Sequence, residues 1–261
     1  LVFLISVLLF SAVSCRTLPL NYSDTPSNFY RHEDLSEEEK VTLDAVSTIH
    51  RLNHGLESFK GIGKFQLANN SRRLSTRAAW LGTDQGNFRV EIFGFPGQSA
   101  VSFSTDRTYS YLYIHGENRL YQIDSGNPNL EHILTISITS KDLNYFLSGR
   151  IPIYEFDVKK SEFSESENGY VLILKNTCFG NVERIYTDKA ITAIRSVEVL
   201  NPLGSIIYRM EFGVRDTIGS YRLPVEMTLS DGKDNRLHIN VEKHWTDVPV
   251  SSSAFILSPQ P

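Results

Sequence analysis

The sequence predicts an α+β fold, in which an antiparallel sheet of about 11 strands curves into a half-open barrel and helices cover its concave side. Short runs of alternating apolar and polar residues recur along most of the 261-residue chain. Turn signals such as Asn-Asn-Ser, Pro-Gly and Asp-Gly separate these runs, and helical periodicity is confined to two places. No pattern typical of a parallel sheet occurs, so the strands are expected to form a meander.

Residues 1–14 are predicted to be a signal peptide. The run from Leu1 to Val13 carries no charged residue and small residues follow it. This run is shorter than the about 20 residues that a bilayer-spanning helix needs, and it has the length of a secretory apolar region. Because no basic region precedes it, we expect the natural start of the chain to lie upstream of Leu1.

The four residues Ala12-Val-Ser-Cys15 resemble the lipobox of bacterial lipoproteins. The resemblance implies that Cys15 is the lipid attachment site, and that palmitate or similar acyl chains on it anchor the protein, since more than one chain gives a stable anchor. Arg16 stands where Asp would retain a lipoprotein in the inner membrane, which implies the outer membrane. The alternative is a signal peptide or an uncleaved anchor that ends in a cysteine by chance. If Cys15 is lipidated, Cys178 has no disulfide partner within the chain, and we expect Cys178 to be a small buried residue.

Composition limits the classes of function. The chain has 26 Lys and Arg against 30 Asp and Glu, a formal net charge of −4, so it lacks the basic surplus that binds phosphate groups, and nucleic acid is excluded as a partner. His50 and His54 stand four residues apart without a third ligand beside them. No pairing of a nucleophile with a base is found either. We therefore predict no metal, no cofactor and no catalytic residue, and a protein that is not an enzyme.

Residues 15–35 are predicted to be a lipidated N-terminus and flexible tether, because Pro, Asn, Ser and Asp occur there without periodicity. Residues 36–261 are predicted to be a single domain. Ser36 and Glu39 form a capping box, which begins a helix over about Glu37–His54 that Gly55 closes. The apolar face of this helix is expected to be Val41, Ala45, Ile49 and Leu52.

The remaining elements follow from period-two alternation. The predicted strands of the first half are 59–68, 74–81, 88–95, 100–104, 109–114 and 119–123. The predicted strands of the second half are 153–163, 170–176, 182–186, 193–200, 206–214, 223–229 and 237–245. Between the halves, Pro128–Gly149 has a helical pattern, and Ser140 begins the second of two short helices. The tail is expected to be extended, with Phe255–Pro259 as an edge segment.

Two predicted strands each present an apolar face, which either fills a solid core or lines a ligand cavity. The residues on these faces are Leu74, Ala78, Trp80, Phe88, Val90 and Ile92. A row of tyrosines at 109, 111 and 113 forms a further one-sided face. Phe93 and Phe95 are not part of these faces, because they lie at a Pro-Gly turn. Exposed aromatic residues at such a turn can enter a membrane interface. The alternative is that this loop folds back onto the barrel.

Several motifs occur in a fixed order between residues 59 and 245. They are Gly63-Lys-Phe65, Ala79-Trp-Leu-Gly-Thr83, Arg89, Phe93-Gly-Phe-Pro-Gly97, Leu143–Pro152, Leu223–Gly232, Leu237–Val241 and Trp245. In this order they resemble the LolA/LolB family, which comprises a periplasmic lipoprotein carrier and its outer-membrane receptor. The chain departs from the receptors in having Phe95 at the loop tip, where they typically have Leu. It is also longer around 154–176, and Leu203 lies in a similar turn of the second half, where a plain hairpin is expected.

The resemblance implies an outer-membrane lipoprotein on the periplasmic face. It would bind acyl chains of client lipoproteins in an apolar cavity and help to insert them in the outer membrane. Its partners would be a LolA-like periplasmic carrier, the client lipoproteins and the membrane, and it would act as a monomer. Phe93 and Phe95 would form the membrane-insertion loop. The alternative retains the fold as a lipid-binding sensor or as a scaffold lipoprotein in envelope assembly.

Overall fold

The computed structural model describes residues 37–164 and 168–258. The predicted signal peptide, Cys15, the tether and Ser36 lie outside the described residues. Three α-helices are described, α1 (Glu37–His50), α2 (Glu131–Leu134) and α3 (Ser140–Leu147). The strands are β1 (Ser58–Ala68), β2 (Arg73–Thr83), β3 (Phe88–Phe93), β4 (Ser99–Thr105), β5 (Ser110–Ile114), β6 (Arg119–Ile123), β7 (Val158–Ser164), β8 (Gly169–Lys175), β9 (Val182–Thr187), β10 (Ile194–Leu200), β11 (Ile206–Phe212), β12 (Arg215–Ile218), β13 (Tyr221–Pro224), β14 (Glu226–Ser230) and β15 (Arg236–Thr246).

One large antiparallel sheet dominates the described part of the chain. Its order is β6-β5-β4-β3-β2-β1-β15-β14-β11-β10-β9-β8-β7, so that β6 and β7 are the two edges of an open sheet. The long strands β1 and β15 pair at its centre, from Phe59 with Thr246 to Ala68 with Arg236. The predicted class, an open antiparallel sheet with few helices, is confirmed.

The predicted number of strands, about 11, is wrong, since the large sheet has 13. Two further strands lie outside the large sheet, between residues 206 and 230, where alternation predicts two strands and the structure has four, β11 to β14. β12 and β13 pair only with each other, around a turn in which Gly219 has a φ of +62°. This hairpin is too short to produce a separate periodic signal.

A single hydrophobic cluster joins the two halves of the sheet. It contains Val90 and Phe103 from the first half, Leu172 and Ile185 from the second, and Phe146 from α3. A core shared by strands that are far apart in the sheet order requires the sheet to wrap around it. The helix α3 therefore covers the inner face of the sheet.

Close approach between β1 and β2 depends on a glycine. Gly61 pairs directly with Trp80, and a Cβ atom at Gly61 would lie 2.4 Å from the indole ring. Because no side chain fits there, the indole can lie flat across β1, where it is also packed against Phe65 at a centroid distance of 5.6 Å. This packing buries Trp80 in the core.

Helix α1 is shorter than predicted. It ends at His50 rather than His54, and Asn53, with a φ of +53°, takes the left-handed conformation expected of Gly55. The prediction that Val41 faces the core is wrong, because its side chain is 46% exposed. Thr42 is buried in place of Val41, and the buried face of the helix consists of Thr42, Ala45, Val46 and Ile49.

Arg150 ties the segment after α3 to the connection between α1 and β1. Its guanidinium group donates hydrogen bonds to the carbonyl oxygens of Asn53, His54 and Leu56. Burial lowers the pKa of Arg150 below its ordinary value. Since Asn53 also donates to the Ser148 carbonyl at 3.0 Å, both helical regions are held against each other at the base of β1.

The C-terminal tail is not an edge strand as predicted. Residues Ser252–Phe255 form a 3₁₀ helix, and the Ser104 hydroxyl donates to the Phe255 carbonyl at 2.8 Å. Leu257 packs with Tyr111 and Tyr113 in a small cluster separate from the main core. The tyrosine face of β5 is thus covered by the tail and does not line a cavity.

Candidate functional site

A cavity of about 320 Å³ lies between the inner face of β8–β11 and the segments around residues 129–142 and 154–156. This volume is at the lower end of the range, about 300 to 1,000 Å³, that is typical of small-molecule sites. Most of its surface is apolar, and the apolar residues are Phe156, Leu174, Phe179, Val182, Val199 and Ile207. A cavity of this size and lining can hold a hydrocarbon chain.

Glu183 lies in the wall of this cavity with its carboxyl group buried. It pairs with Leu174 on β8 and Val199 on β10, so apolar side chains flank it on both neighbouring strands. The side chain is 3% exposed. Among the residues that the structure describes, its Oε1 atom has no hydrogen-bond partner, while Oε2 accepts a long bond, 3.4 Å, from the Tyr154 backbone N–H.

The burial of Glu183 determines its protonation state. Removal from water raises the pKa of the carboxyl group well above its ordinary value, and the nearby negative charge of Asp142 raises it further. The hydrogen bond from the Tyr154 amide opposes this shift only in part. Glu183 is therefore held in its neutral form well above the pH at which an exposed glutamate ionises.

Asp142 of α3 forms a second polar centre in the cavity. Its Oδ2 atom accepts hydrogen bonds from the hydroxyl groups of Tyr154, at 2.5 Å, and Tyr208, at 3.3 Å. The two tyrosine hydroxyls lie 3.1 Å apart. Burial raises the pKa of Tyr208 well above its ordinary value. Both phenols thus remain hydrogen-bond donors, and the cavity has a polar floor beneath an apolar wall.

Asp142 owes its position to the local sequence of α3. The helix begins at Ser140, as predicted, and the Thr139 side chain caps it by accepting the Asp142 backbone N–H at 3.1 Å. Phe146, one turn later, packs against the rings of Tyr208 and Phe212 at centroid distances of 6.0 Å and 5.8 Å. The helix is therefore fixed with Asp142 facing the sheet.

The residues predicted to line a cavity lie elsewhere in the sheet, on β2 and β3. Five of them belong to the core or pack against it, and they are Ala78, Trp80, Phe88, Val90 and Ile92. The sixth, Leu74, is 59% exposed, contrary to the prediction. The reason is that β2 begins outside the core, since its first three residues, Arg73, Leu74 and Ser75, are all exposed.

The cavity residues Glu183, Asp142, Tyr154 and Tyr208 were missed in the sequence. One signal was present. In β9 the inward positions are Glu183, Ile185 and Thr187, so an acidic residue stands where alternation demands an apolar one. A charged residue at an inward position of a strand is costly unless it is neutral or paired, and it indicates a site.

The predicted loop residues Phe93 and Phe95 occupy different environments. Phe93 ends β3 half-buried, whereas the Phe95 side chain is fully exposed, with a relative accessibility of 101%. The loop, which we call the Phe95 turn (residues 94–98), is closed by the Gly97 amide donating to the Gly94 carbonyl at 2.7 Å. It therefore projects away from the sheet and does not fold back on it.

A second apolar tip occurs in the turn between β10 and β11. Leu203 is 90% exposed, and the Asn201 side chain accepts the backbone N–H groups of Leu203 and Ser205, both at 3.0 Å. We call residues 201–205 the Leu203 turn. The turn is a hairpin, as expected from the sequence, but it carries a large apolar side chain that points into solvent.

Both tips lie at the same end of the sheet. An even number of antiparallel pairings separates β3 from β10, so the two strands run in the same direction into their turns. The turn 176–181, which enters β9, lies at this end too, and it contributes Phe179 to the cavity. None of these three turns contains a charged residue.

Cys178 lies in the turn 176–181 and is exposed, so the expectation of a buried residue is wrong. The turn leaves the sheet before the chain reverses, and the side chain is therefore outside the core. Within the described residues, no helix is long and apolar enough to cross a membrane. No group of three metal-ligating side chains occurs there either.

Comparison with known proteins identifies the fold. No protein-family model matches the chain, and no curated protein sequence matches it. Among solved structures, a DUF1329 family protein from Desulfovibrio piger has a TM-score of 0.61 at 10% identity, over 85% of this chain and 98% of its own. An outer membrane lipoprotein-sorting protein domain from Vibrio parahaemolyticus has a TM-score of 0.59 at 12% identity, over 83% and 96%.

A LolA superfamily protein from Nitrosomonas europaea is similar to the same extent. Its TM-score is 0.59 at 11% identity, and the match covers 83% of this chain and 97% of that one. At such identities the likeness concerns the fold alone. The described part of the chain therefore has a LolA-like fold.

Proposed function

We propose that this protein is a lipoprotein, anchored to the outer membrane through Cys15, that binds acyl chains of client lipoproteins and helps to insert them in the membrane. One observation carries the proposal. An apolar cavity of about 320 Å³ has part of its wall at the end of the sheet where Phe95 and Leu203 protrude. A LolA-like carrier would supply the client, and the protein would act as a monomer without catalysis.

The energetics of such binding need no reactive group. Burial of apolar surface contributes about 25 cal/mol per Å², or about 0.8 kcal/mol for each CH₂ group. The wall around Leu174, Val199 and Phe156 supplies the apolar surface. Several methylene groups inside the cavity would offset the cost of taking an acyl chain from another protein or from water.

The two tips would bring the cavity to the membrane. A Phe or Leu side chain that passes from water into the acyl region gains about 1.5 to 3 kcal/mol, and neither turn has a charged group that would have to be dehydrated. Contact through two turns on separate halves of the sheet fixes the orientation of the molecule. A client chain would then have a short path from the cavity to the bilayer.

We expect Phe95→Ser and Leu203→Ser each to weaken binding to lipid vesicles about tenfold, since each removes one inserted apolar side chain. The measurement is co-sedimentation of the mature chain carrying Cys15→Ser with vesicles of phosphatidylethanolamine and phosphatidylglycerol. Val214→Ser is the matched control, because Val214 is 62% exposed but follows β11 at the opposite end of the sheet. Equal losses in all three variants would disprove a membrane-facing end.

The transfer function is tested with a LolA-like carrier loaded with a radiolabelled lipoprotein. The mature Cys15→Ser chain should capture the client stably, and Val199→Trp, which places an indole in the cavity, should reduce capture about tenfold. Ile207→Trp is a second blocking variant at a half-buried position. Val41→Trp places the same side chain on the exposed face of α1 and should leave capture unchanged.

The second candidate function is a lipid-binding sensor or an envelope-assembly scaffold with the same fold. The buried polar floor of the cavity favours it, because an acyl chain alone makes no use of Asp142 or Glu183. If the chain binds free lipids but captures no client from the carrier, this candidate replaces lipoprotein transfer. If it binds neither lipid nor client, both candidates are wrong.

A further inference from the structure

The residues of charged type in the cavity wall are all acidic. They are Asp142, Glu155 and Glu183, and the described residues that line the cavity include no Lys, Arg or His. An anionic ligand group, such as a fatty-acid carboxylate or a phosphate, would find no cationic partner there and would be repelled by Asp142. The lining selects against anions.

Glu183 has a buried oxygen atom without a hydrogen-bond partner among the described residues. This atom is Oε1, and Glu183 is one of the residues that line the cavity. A buried polar atom without a partner costs about 1 to 3 kcal/mol, and an arrangement that retains this cost is typical of a binding site. A cationic hydrogen-bond donor would satisfy Oε1 and would at the same time favour the ionised carboxylate.

Aromatic rings near this position favour a cationic donor. Tyr154, Phe156, Phe179 and Tyr208 all line the cavity, and a cation over an aromatic face is stabilised by about 0.5 to 2 kcal/mol. The tyrosine hydroxyls already donate to Asp142, so they present ring faces and not free donors. An ammonium group supplies three donors and a positive charge at once.

We propose that the cavity binds an amine-bearing amphiphile, whose ammonium group contacts Glu183 while its hydrocarbon chain lies against the apolar wall. This inference rests on the proposed function, in which the cavity takes acyl chains. It adds the chemical class of the group next to the chain. Protonated Glu183 loses its proton to solvent when the ammonium group binds, so that binding is accompanied by proton release.

The groups that face Glu183 support proton release on binding. Leu174 and Val199 on the neighbouring strands are apolar. Asp142 of α3 raises the pKa of the free carboxyl, Tyr208 of β11 is neutral, and Glu155 is on the exposed rim. A bound cation would lower the pKa again by its direct charge, because opposite charges in contact favour ionisation.

The test compares three probes with the same chain, decylamine, decanol and decanoic acid, by calorimetry on the mature Cys15→Ser protein at pH 7. We expect decylamine to bind about tenfold more tightly than decanol, and decanoic acid to bind least. Titrations in two buffers of different ionisation enthalpy should show proton release on binding of decylamine and none on binding of decanol.

Glu183→Gln should lower decylamine affinity about tenfold, abolish proton release and leave decanol binding within about twofold. Glu155→Gln is the matched control on the exposed rim of the cavity, where solvent screens the charge and little change is expected. If all three probes bind alike, or if decanoic acid binds best, the amine selectivity is wrong. If none of the three binds, the acyl-binding function fails together with this inference.

Two natural compounds present an ammonium group beside hydrocarbon, an aminolipid and a lipopeptide with a lysine close to its acyl chains. Sphingosine, an aminolipid without a phosphate group, and a dipalmitoyl lysine peptide represent them. The compound that displaces decylamine from the cavity represents the natural class of ligand. Competition that persists after acetylation of the amine in both compounds would overturn the assignment.

Discussion

Replacing Phe146 by Ala should lower the free energy of unfolding by about 3 to 5 kcal/mol, the usual cost of removing a buried phenyl ring. Phe146 is fully buried and contacts Tyr208 and Phe212 in edge-on and tilted packing. These contacts attach α3 to the inner face of the sheet. Urea denaturation followed by tryptophan fluorescence measures the change, because Trp80 is in the same core cluster.

Tyr145→Ala is the matched control for this prediction. Tyr145 is the adjacent aromatic residue of α3 and is only half-buried, so its loss should cost about 1 kcal/mol or less. Phe146→Leu should recover most of the lost stability, since it refills the volume. Similar effects of Tyr145→Ala and Phe146→Ala would show that α3 is not held by Phe146. Because Asp142 lies one turn away on the same face, Phe146→Ala should also weaken decanol binding.

Replacing Glu183 by Gln should make the protein more stable at neutral and alkaline pH. The folded-state pKa of Glu183 is raised, whereas the unfolded chain has the ordinary value of about 4.3. Between these values the folded state binds more protons than the unfolded state, so the free energy of unfolding falls as the pH rises. The stability from neutral Glu183 is complete below the unfolded pKa and is lost as the pH rises through the folded-state pKa.

Gln cannot ionise, so the variant should lack this loss. We expect the two proteins to be similarly stable near pH 4, and the variant to exceed the wild type by a growing margin above that pH. Urea denaturation at a series of pH values measures the difference. Glu155→Gln, at an exposed carboxyl group of the same cavity, should follow the wild-type profile. Parallel profiles for Glu183→Gln and wild type would show that Glu183 is already ionised in the folded protein.

The strands of the fold were predictable because alternation is a local property. The ends of β8, β9 and β10 lie within one residue of the predicted segments. The reason is that a strand with one buried face alternates apolar and polar residues with a period of two. Prediction failed where local signals were short or absent. The β12–β13 hairpin has only four residues in each strand, and the tail forms a 3₁₀ helix that Ser104 and Arg89 hold from distant strands.

The candidate site was predictable only in part. The exposure expected at Phe95 is observed, because the turn closes on itself between Gly94 and Gly97 and leaves the ring in solvent. The cavity was expected on β2 and β3, and its described position is on β8 to β11. All these strands have apolar inner faces, so their composition does not distinguish the filled part of the core from the hollow part.

By itself the sequence determined an open antiparallel sheet with few helices, and the absence of charge in the turns 94–98 and 201–205, because each of these follows from residues that are neighbours along the chain. Only the tertiary structure decided where the core stays hollow and that Glu183 and Asp142 line the same cavity. The physical reason is that a cavity is bounded by side chains from distant strands and from α3. The burial that changes the proton affinity of Glu183 exists only once those elements have packed.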